Sequence, residues 1–396
     1  MDIATRYRRL SKITVLLSLV WITSSCKSDK EQEKIIINPL TAIEREVRLS
    51  YFTDDISYIL LDNEILFQHP NWIETTEDRF IIKVFPGGIL AFDRFGNLLN
   101  TIGSEGRGPG EYQMALYFSI DSENEIVYVN DNLTTKILVY SFDGEFIREF
   151  SLSKYGARFN DLYYYQGKLY LANRILYGYA KYNWLIIDTL GNLYSYKINP
   201  IPKFEANMGS SGGFFLGPDE GLYFWTDHND TIFFVQDSIY QPAMFFAPGG
   251  FKQPQTRISG EDFSNYFVPR KLTGTHNFIF HSYYLKKQLH STYIDRRNGQ
   301  MAIIGKTSSL SGFDLPGISN DIDGGPAFPP FFYFHEKNEE FLIGWVHAHR
   351  LKAHIESDAF KNSTPKYPEK KKELEELAAS LDENDNPVLM LVKLKE

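Results

Sequence analysis

A glycine-rich segment at 106–112 is the first candidate for chemistry in this chain. It reads Gly-Arg-Gly-Pro-Gly-Glu-Tyr. The backbone N–H groups of such a loop could bind an anion beside Arg107, with Glu111 and Tyr112 lining the pocket. The alternative is a tight turn between two repeats, in which Tyr112 packs into the core. The segment is not a P-loop, because no Gly-Lys-Ser/Thr follows it and no helix begins there.

A pair of carboxylates ahead of a glycine is the second candidate. Asp321 and Asp323 precede Gly324, an arrangement that resembles half of a calcium-binding loop. The glutamate that completes an EF-hand loop is missing downstream, so a hydrogen-bonded turn is the alternative. We expect Asp321 and Asp323 to contribute to ligand binding, with Asp323 facing a central channel.

Two histidines spaced by one residue form the third candidate. His347 and His349 lie in the run 341–350, and residues two apart on a strand point to the same face. Their imidazoles could therefore share a divalent metal, and His335, His354 and Asp323 are candidate third ligands. The alternative is a pair of exposed or aromatic-packed rings. No cofactor other than such a metal is expected.

The chain contains one cysteine, Cys26, and its position indicates that the protein is exported. Basic residues come first, then the apolar run 13–23, then two serines and the cysteine, which is the pattern of a secretory signal. The apolar run is shorter than the ~20 residues of a membrane span. A cysteine at the cleavage point resembles a lipobox, in which the thiol is acylated. The alternative is an ordinary signal peptide with an incidental cysteine.

This pattern divides the N-terminal region into a signal peptide and a tether. We predict a lipoprotein signal peptide over 1–25, lipidation at Cys26, and a flexible charged tether over 26–40. Acidic residues after the cysteine also resemble the surface-export signal of Bacteroidota lipoproteins. The prediction is therefore export with a lipid anchor in the outer membrane. Exposure at the cell surface follows if the acidic segment is an export signal, and a plain solvated tether is the alternative.

Composition limits the classes of partner and the source of stability. The 396 residues carry a formal net charge of −9, which disfavours nucleic acid as a partner. A single cysteine allows no internal disulfide, so burial must stabilise the fold. The 31 Phe, 25 Tyr and 5 Trp residues supply that core.

An internal repeat predicts the elements that position these residues. Segments 89–98, 137–146 and 185–194 share a strand, a turn ending in glycine and a second strand, with the glycines 48 and 47 residues apart. Four antiparallel strands in ~40–50 residues are typical of a propeller blade. We predict an all-β, six-bladed β-propeller over 41–396. A small helical insertion is expected at 355–386, with its helix at 368–381. A closing strand at 387–395 should pair with the early segments 43–49 and 56–61.

Several segments together resemble one protein family. These are the lipobox, 106–112, Asn320–Pro326 and Asp385–Leu389. They are similar to the six-bladed, NHL-like β-propeller lipoproteins of Bacteroidota. The resemblance implies the propeller fold and the exported location. It implies no particular activity, because the family is known mainly by its fold.

Two classes of function follow from these observations. No nucleophile elbow, H-E-x-x-H or dinucleotide fingerprint is present, which favours a non-catalytic binding or scaffold module for a glycan, peptide or outer-membrane protein. The alternative is a divalent-metal-dependent propeller enzyme, lactonase-like or lyase-like, that recruits Asp131, Asp227, Asp323 and His347. Such an enzyme needs three or more of these side chains to converge at one end of the channel.

Overall fold

Six four-stranded sheets follow one another along the chain, two of them with an added short strand. The computed structural model describes residues 34–156, 158–173, 180–204, 212–217, 221–226, 228–256, 262–309 and 315–395. The predicted signal peptide, Cys26 and the first part of the predicted tether lie outside these residues, as does Asp227. The architecture is the predicted six-bladed β-propeller.

The strand bounds follow chain order. The N-terminal strands are β1 (Ile35–Ile37), β2 (Ile43–Glu44) and β3 (Ile56–Ile59). Blade one comprises β4 (His69–Thr75), β5 (Arg79–Phe85), β6 (Ile89–Asp93) and β7 (Leu98–Ile102). Blade two comprises β8 (Ala115–Asp121), β9 (Ile126–Asp131), β10 (Lys136–Ser141) and β11 (Phe146–Ser151). Blade three comprises β12 (Asp161–Tyr165), β13 (Lys168–Ala172), β14 (Tyr182–Asp188) and β15 (Leu193–Ile198).

The second half of the ring continues the pattern. Blade four comprises β16 (Gly212–Leu216), β17 (Leu222–Thr226), β18 (Asn229–Gln236) and β19 (Ile239–Phe246). Blade five comprises β20 (Val268–Gly274), β21 (Phe278–Leu285), β22 (Gln288–Asp295) and β23 (Gln300–Thr307). Blade six comprises β24 (Phe332–Glu336), β25 (Glu339–Val346), β26 (Val388–Lys393) and the early strand β3.

Local turn chemistry explains why the repeated segments form hairpins. Asp93 Oδ1 accepts the N–H groups of Phe95 and Asn97 at 2.8 and 2.9 Å, which closes the turn between β6 and β7. Gly96 adopts φ +92°, and a Cβ there would lie 1.9 Å from the carbonyl oxygen of Leu60. Glycine is therefore required both for the backbone conformation and for the close approach of the N-terminal segment.

The ring closes through strands from both ends of the chain. β26 pairs antiparallel with β25 on one side and with β3 on the other. The second of these is the pairing expected between the closing strand and segment 56–61. Segment 43–49 behaves differently, because Ile43–Glu44 pairs parallel with β23 of blade five. Ile35–Ile37, expected in the tether, pairs parallel with β19 of blade four, where Ile37 is fully buried. Both additions cover sheet edges that would otherwise leave backbone groups unpaired.

A helical insertion separates β25 from β26. It contains α1 (Ala348–Glu356), α2 (Asp358–Lys361) and α3 (Pro368–Ser380). α3 agrees with the helix expected at 368–381, whereas α1 begins before the predicted boundary at 355. Buried Leu351, Phe360 and Leu374 pack with Val388 of the closing strand, so the insertion has its own small core. Of the helices described, none combines the length and apolarity that crossing a bilayer requires.

Candidate functional site

The first strand of each blade lines a central cavity. The cavity has a volume of about 960 Å³ and is lined by β4, β8, β12, β16, β20 and β24. This volume lies within the range of pockets that hold small organic ligands. Aromatic side chains contribute much of the wall, among them Trp72, Tyr117, Tyr163, Phe331, Phe332 and Tyr333. We call this cavity the channel.

Glu74 is the carboxyl group of the channel wall on blade one. Its Oε1 accepts the indole N–H of Trp72 at 3.1 Å, and its Oε2 accepts the backbone N–H of Ile120 at 3.0 Å. Burial raises the pKa of Glu74 to about 7, and the nearby carboxylate of Asp161 adds to the effect. The group can therefore exchange a proton near neutral pH.

Asp161 on β12 joins blades three and four at the same wall. Its side chain is buried, and its Oδ2 accepts the backbone N–H of Phe214 at 2.7 Å. A Cβ on Gly213 would lie 2.4 Å from that oxygen, so glycine permits the approach. Burial and the charges of Glu74 and Asp161 raise the pKa of Tyr163, which keeps its phenol protonated.

A lysine on blade five provides a positive charge on the wall. The Nζ of Lys271 lies 4.0 Å from the ring centroid of Phe332 and 5.6 Å from that of Phe331. Burial is the only cause that lowers its pKa, to about 7. Within the part of the chain that the structure describes, no carboxylate forms an ion pair with Lys271. The neighbouring aromatic faces are its electrostatic partners.

The glycine-rich loop lies between blades one and two, away from the channel. Tyr112 is fully buried, and its hydroxyl accepts the N–H of Ile89 and donates to the carbonyl oxygen of Ile102, both at 3.3 Å. Burial raises the pKa of Tyr112 to about 12. Glu111 Oε2 accepts the N–H of Gly108 at 2.6 Å, and Arg107 is exposed. This geometry is that of the inter-repeat turn, and a ligand role for Arg107 and Glu111 stays a prediction.

The two aspartates at 321 and 323 serve different contacts. Asp321 accepts the N–H and the hydroxyl of Ser50 at 2.9 and 2.6 Å. Asp323 is 1% exposed and accepts the side-chain N–H of Asn320 at 2.7 Å and the N–H of Gly325 at 2.8 Å. Burial raises the pKa of Asp323. The expectation that Asp323 faces the channel was wrong, because this turn packs beneath the helical insertion, where Leu374 contacts it.

The histidine pair does not lie on a strand, so that part of the prediction was wrong. β25 ends at Val346, His347 is the N-cap of α1, and His349 belongs to the first turn of that helix. The two rings still meet, with centroids 5.1 Å apart and planes at 23°. Asp323 does not join them. Among the described residues, no group of three or more His, Cys, Asp or Glu side chains is placed to hold a metal ion.

Asp131, a candidate ligand for the enzyme alternative, is also engaged elsewhere. It is 1% exposed and accepts the N–H groups of Gln113 and Met114 at 3.0 and 3.1 Å. It also accepts the Thr134 hydroxyl at 2.7 Å. This carboxylate closes the turn into β8 and the turn between β9 and β10, and it does not line the channel.

The channel residues were missed by reasoning from sequence, although a signal existed. Glu74 and Lys271 are charged residues inside the strands β4 and β20, and each stands directly beside an apolar residue. A charge at an inner position of a repeated strand indicates a cavity wall. For Lys271 this signal was hidden, because the segment that contains it is not among the repeats recognised at 89–98, 137–146 and 185–194.

Comparisons with known proteins agree with the fold. No curated protein matches the chain. A Bacteroides fragilis NCTC 9343 protein, described as a presumed exported protein, is similar in structure at a TM-score of 0.65 and 18% identity, over 91% of this chain and 100% of that one. A member of the DUF4221 family from Bacteroides vulgatus ATCC 8482 is similar at a TM-score of 0.50 and 11% identity, over 87% and 97%.

The sequence also matches a defined family over nearly all of the described region. The match spans residues 34–393, from β1 to the end of the closing strand β26, and so includes every blade and the helical insertion. The family carries no assigned function. The chain belongs to DUF4934, a family described as a domain of unknown function.

Proposed function

We propose that this protein is an exported, non-catalytic binding module whose channel holds an oligosaccharide, and that acylated Cys26 anchors it to the outer membrane. One observation carries the proposal, namely the cavity of about 960 Å³ walled by aromatic rings and a few polar groups. Aromatic faces pack against the apolar faces of sugar rings, and side chains such as Glu74 can accept hydrogen bonds from hydroxyl groups.

Binding is proposed rather than metal-dependent catalysis because of how the acidic groups are placed. The enzyme alternative required three or more ligating side chains to converge on the channel. Asp131 and Asp323 are buried in turns away from it, and His347 caps a helix. The aromatic wall, by contrast, is contributed by several blades and needs no cofactor to act as a binding surface.

The channel proposal can be tested by comparing two tyrosines. Full-length protein in detergent would be applied to an array of oligosaccharides and, in parallel, to an array of peptides. Tyr333→Ala removes a ring from the channel wall, whereas Tyr196→Ala removes a half-exposed ring from an outer strand. We expect Tyr333→Ala to weaken oligosaccharide binding by about tenfold and Tyr196→Ala to leave it unchanged.

Other outcomes of this comparison would reject the proposal. Binding of peptides without oligosaccharides would identify the wrong ligand class. Equal loss of binding in both variants, with melting temperatures unchanged, would place the ligand outside the channel.

The anchor is tested separately from the ligand. Cys26→Ser should release the protein from the membrane fraction and abolish incorporation of labelled fatty acid, because the acylated thiol is missing. The propeller should still unfold at the same temperature. Ser25→Ala is the matched control, since it keeps a small residue before the cysteine. An unchanged membrane fraction for Cys26→Ser would contradict the lipoprotein proposal.

A further inference from the structure

A small side pocket adjoins the channel between blades five and six. Its volume is about 140 Å³, and it shares Asn71, Arg270, Lys271, Phe331 and Phe332 with the channel wall. Residues of β21 and β25 complete it, including Ser282, Tyr284 and Trp345. The volume is well below the ~300 Å³ at the lower end of pockets for whole ligands. It suits a single functional group of a ligand that occupies the channel.

The polar groups of this pocket are basic or neutral. Lys271 and Arg270 are adjacent on β20, and the Cζ of Arg270 lies 5.6 Å from the ring centroid of Tyr284. None of the described residues that line the pocket is acidic. Lys271 has no ion pair among the described residues, and only desolvation acts on its pKa. Among the described residues, the positive charge of Lys271 is therefore not balanced by a carboxylate.

A buried hydroxyl group in the pocket also lacks a partner. Ser282 is 5% exposed, and its Oγ makes no hydrogen bond within the described structure. It lies directly opposite Lys271 in the pairing of β20 with β21, so the two side chains are neighbours on one face of the sheet. An unsatisfied buried hydroxyl costs free energy, which a bound acceptor would recover.

We propose that this side pocket is an oxyanion subsite, which binds the carboxylate or sulfate group of an acidic sugar held in the channel. The inference rests on the proposed function and adds a charge requirement to it. The Lys271 ammonium supplies the charge, and the Ser282 hydroxyl donates a hydrogen bond. The Phe331 and Phe332 rings exclude water, which strengthens both interactions.

The subsite is tested with small probes at constant ionic strength. Isothermal titration would measure D-glucuronate, glucose 6-sulfate, D-glucose and inorganic sulfate against the full-length protein in detergent. We expect one or both charged sugars to bind at least tenfold more tightly than glucose. Lys271→Met should abolish this difference, and Ser282→Ala should reduce it severalfold. The charged sugar that binds more tightly shows whether the subsite prefers a carboxylate or a sulfate group.

Control variants keep the test interpretable. Lys372→Met, on the exposed face of α3, should not alter the preference. Lys271→Arg should retain it, which distinguishes lost charge from misfolding, and melting temperatures would report the folded state of each variant.

Charged sugars and glucose that bind equally in the wild type would overturn the subsite and leave the channel proposal intact. Lys271-dependent binding of inorganic sulfate without any sugar binding would support the subsite and overturn the oligosaccharide proposal. If no anion shows Lys271-dependent binding, the subsite proposal is wrong.

Discussion

The polar groups of the inter-blade turns and those of the side pocket on blade five differ in how completely they are satisfied. Asp131, in a turn, accepts hydrogen bonds from Gln113, Met114, Leu133 and Thr134. At the wall of blade five, Lys271 has no ion pair among the described residues and Ser282 has no hydrogen bond there. Asp131 is thus stabilised by local contacts, whereas Lys271 and Ser282 of blade five lack such contacts among the described residues.

The difference distinguishes polar groups that stabilise the fold from polar groups that are available to a ligand. A saturated carboxylate fixes the loop that surrounds it, and its removal leaves several buried donors unpaired. An unsatisfied group at a cavity wall lowers stability, and its presence is explained when a ligand completes its contacts. The two classes should therefore respond in opposite ways to substitution.

The largest expected effect is on stability at a turn. Asp131→Ala should lower the free energy of unfolding by about 3 kcal/mol, because four donors lose their acceptor. Urea denaturation would measure the loss, and oligosaccharide binding by the folded fraction should not change. Asp143→Ala, at an exposed hairpin, is the control. Equal stability losses in the two variants would contradict a structural role for Asp131.

The next effect is a dependence of stability on pH, which arises from a second unsatisfied group of blade five. His281 is 2% exposed, neither ring nitrogen has a hydrogen-bond partner in the described structure, and burial lowers its pKa from 6.5 to about 3. Between these values the unfolded chain takes up a proton that the folded chain does not. The contribution of His281 to stability is therefore present above pH 6.5 and is lost as the pH falls toward 3.

Unfolding in urea at pH 7 and pH 4 would measure this dependence. His281→Phe should flatten the profile, and the exposed His276→Phe should not. A profile that is equally steep in wild type and His281→Phe would show that other groups control the acid response.

A smaller effect of opposite sign is expected at Lys271. Lys271→Met replaces a desolvated, unpaired cation with an apolar side chain of similar length, so the free energy of unfolding should stay unchanged or rise by about 1 kcal/mol. Thermal and urea unfolding would measure it beside Lys372→Met. A marked destabilisation would mean that Lys271 stabilises the ring and would remove the contrast with Asp131.

The smallest effect is expected at Arg107. Its side chain is exposed and does not line the channel, so Arg107→Ala should change stability by less than about 0.5 kcal/mol and leave oligosaccharide binding intact. The same array and urea experiments would test this. A loss of binding would instead support the glycine-rich loop as the ligand site.

Prediction from sequence succeeded where the determinants are local. The Asp93–Gly96 turn contains its own hydrogen bonds and its own glycine, so a hairpin could be recognised from ten residues. The same holds for α3. Prediction from sequence failed for His347, because the end of β25 depends on packing of the insertion that follows it. In so short a run, the end of a strand and the start of a helix have similar sequences.

The candidate site was predicted less well, because the prediction assigned ligand binding to polar residues near glycine and proline. Asp321 and Asp323 are such residues, and the structure uses them to bond neighbouring backbone and side-chain groups. Turns are rich in these residue types for reasons of backbone geometry alone. A wall residue such as Glu74 has no comparable local signature.

The sequence by itself determined the repeat, the hairpins and the closing strand, because strand alternation and turn chemistry act over a few residues. Only the tertiary structure decided which side chains share a cavity. Glu74, Asp161 and Lys271 belong to blades one, three and five and are far apart in the chain. They reach one channel because the ring closes through β3 and β26, and that closure places the first strand of every blade around the same axis.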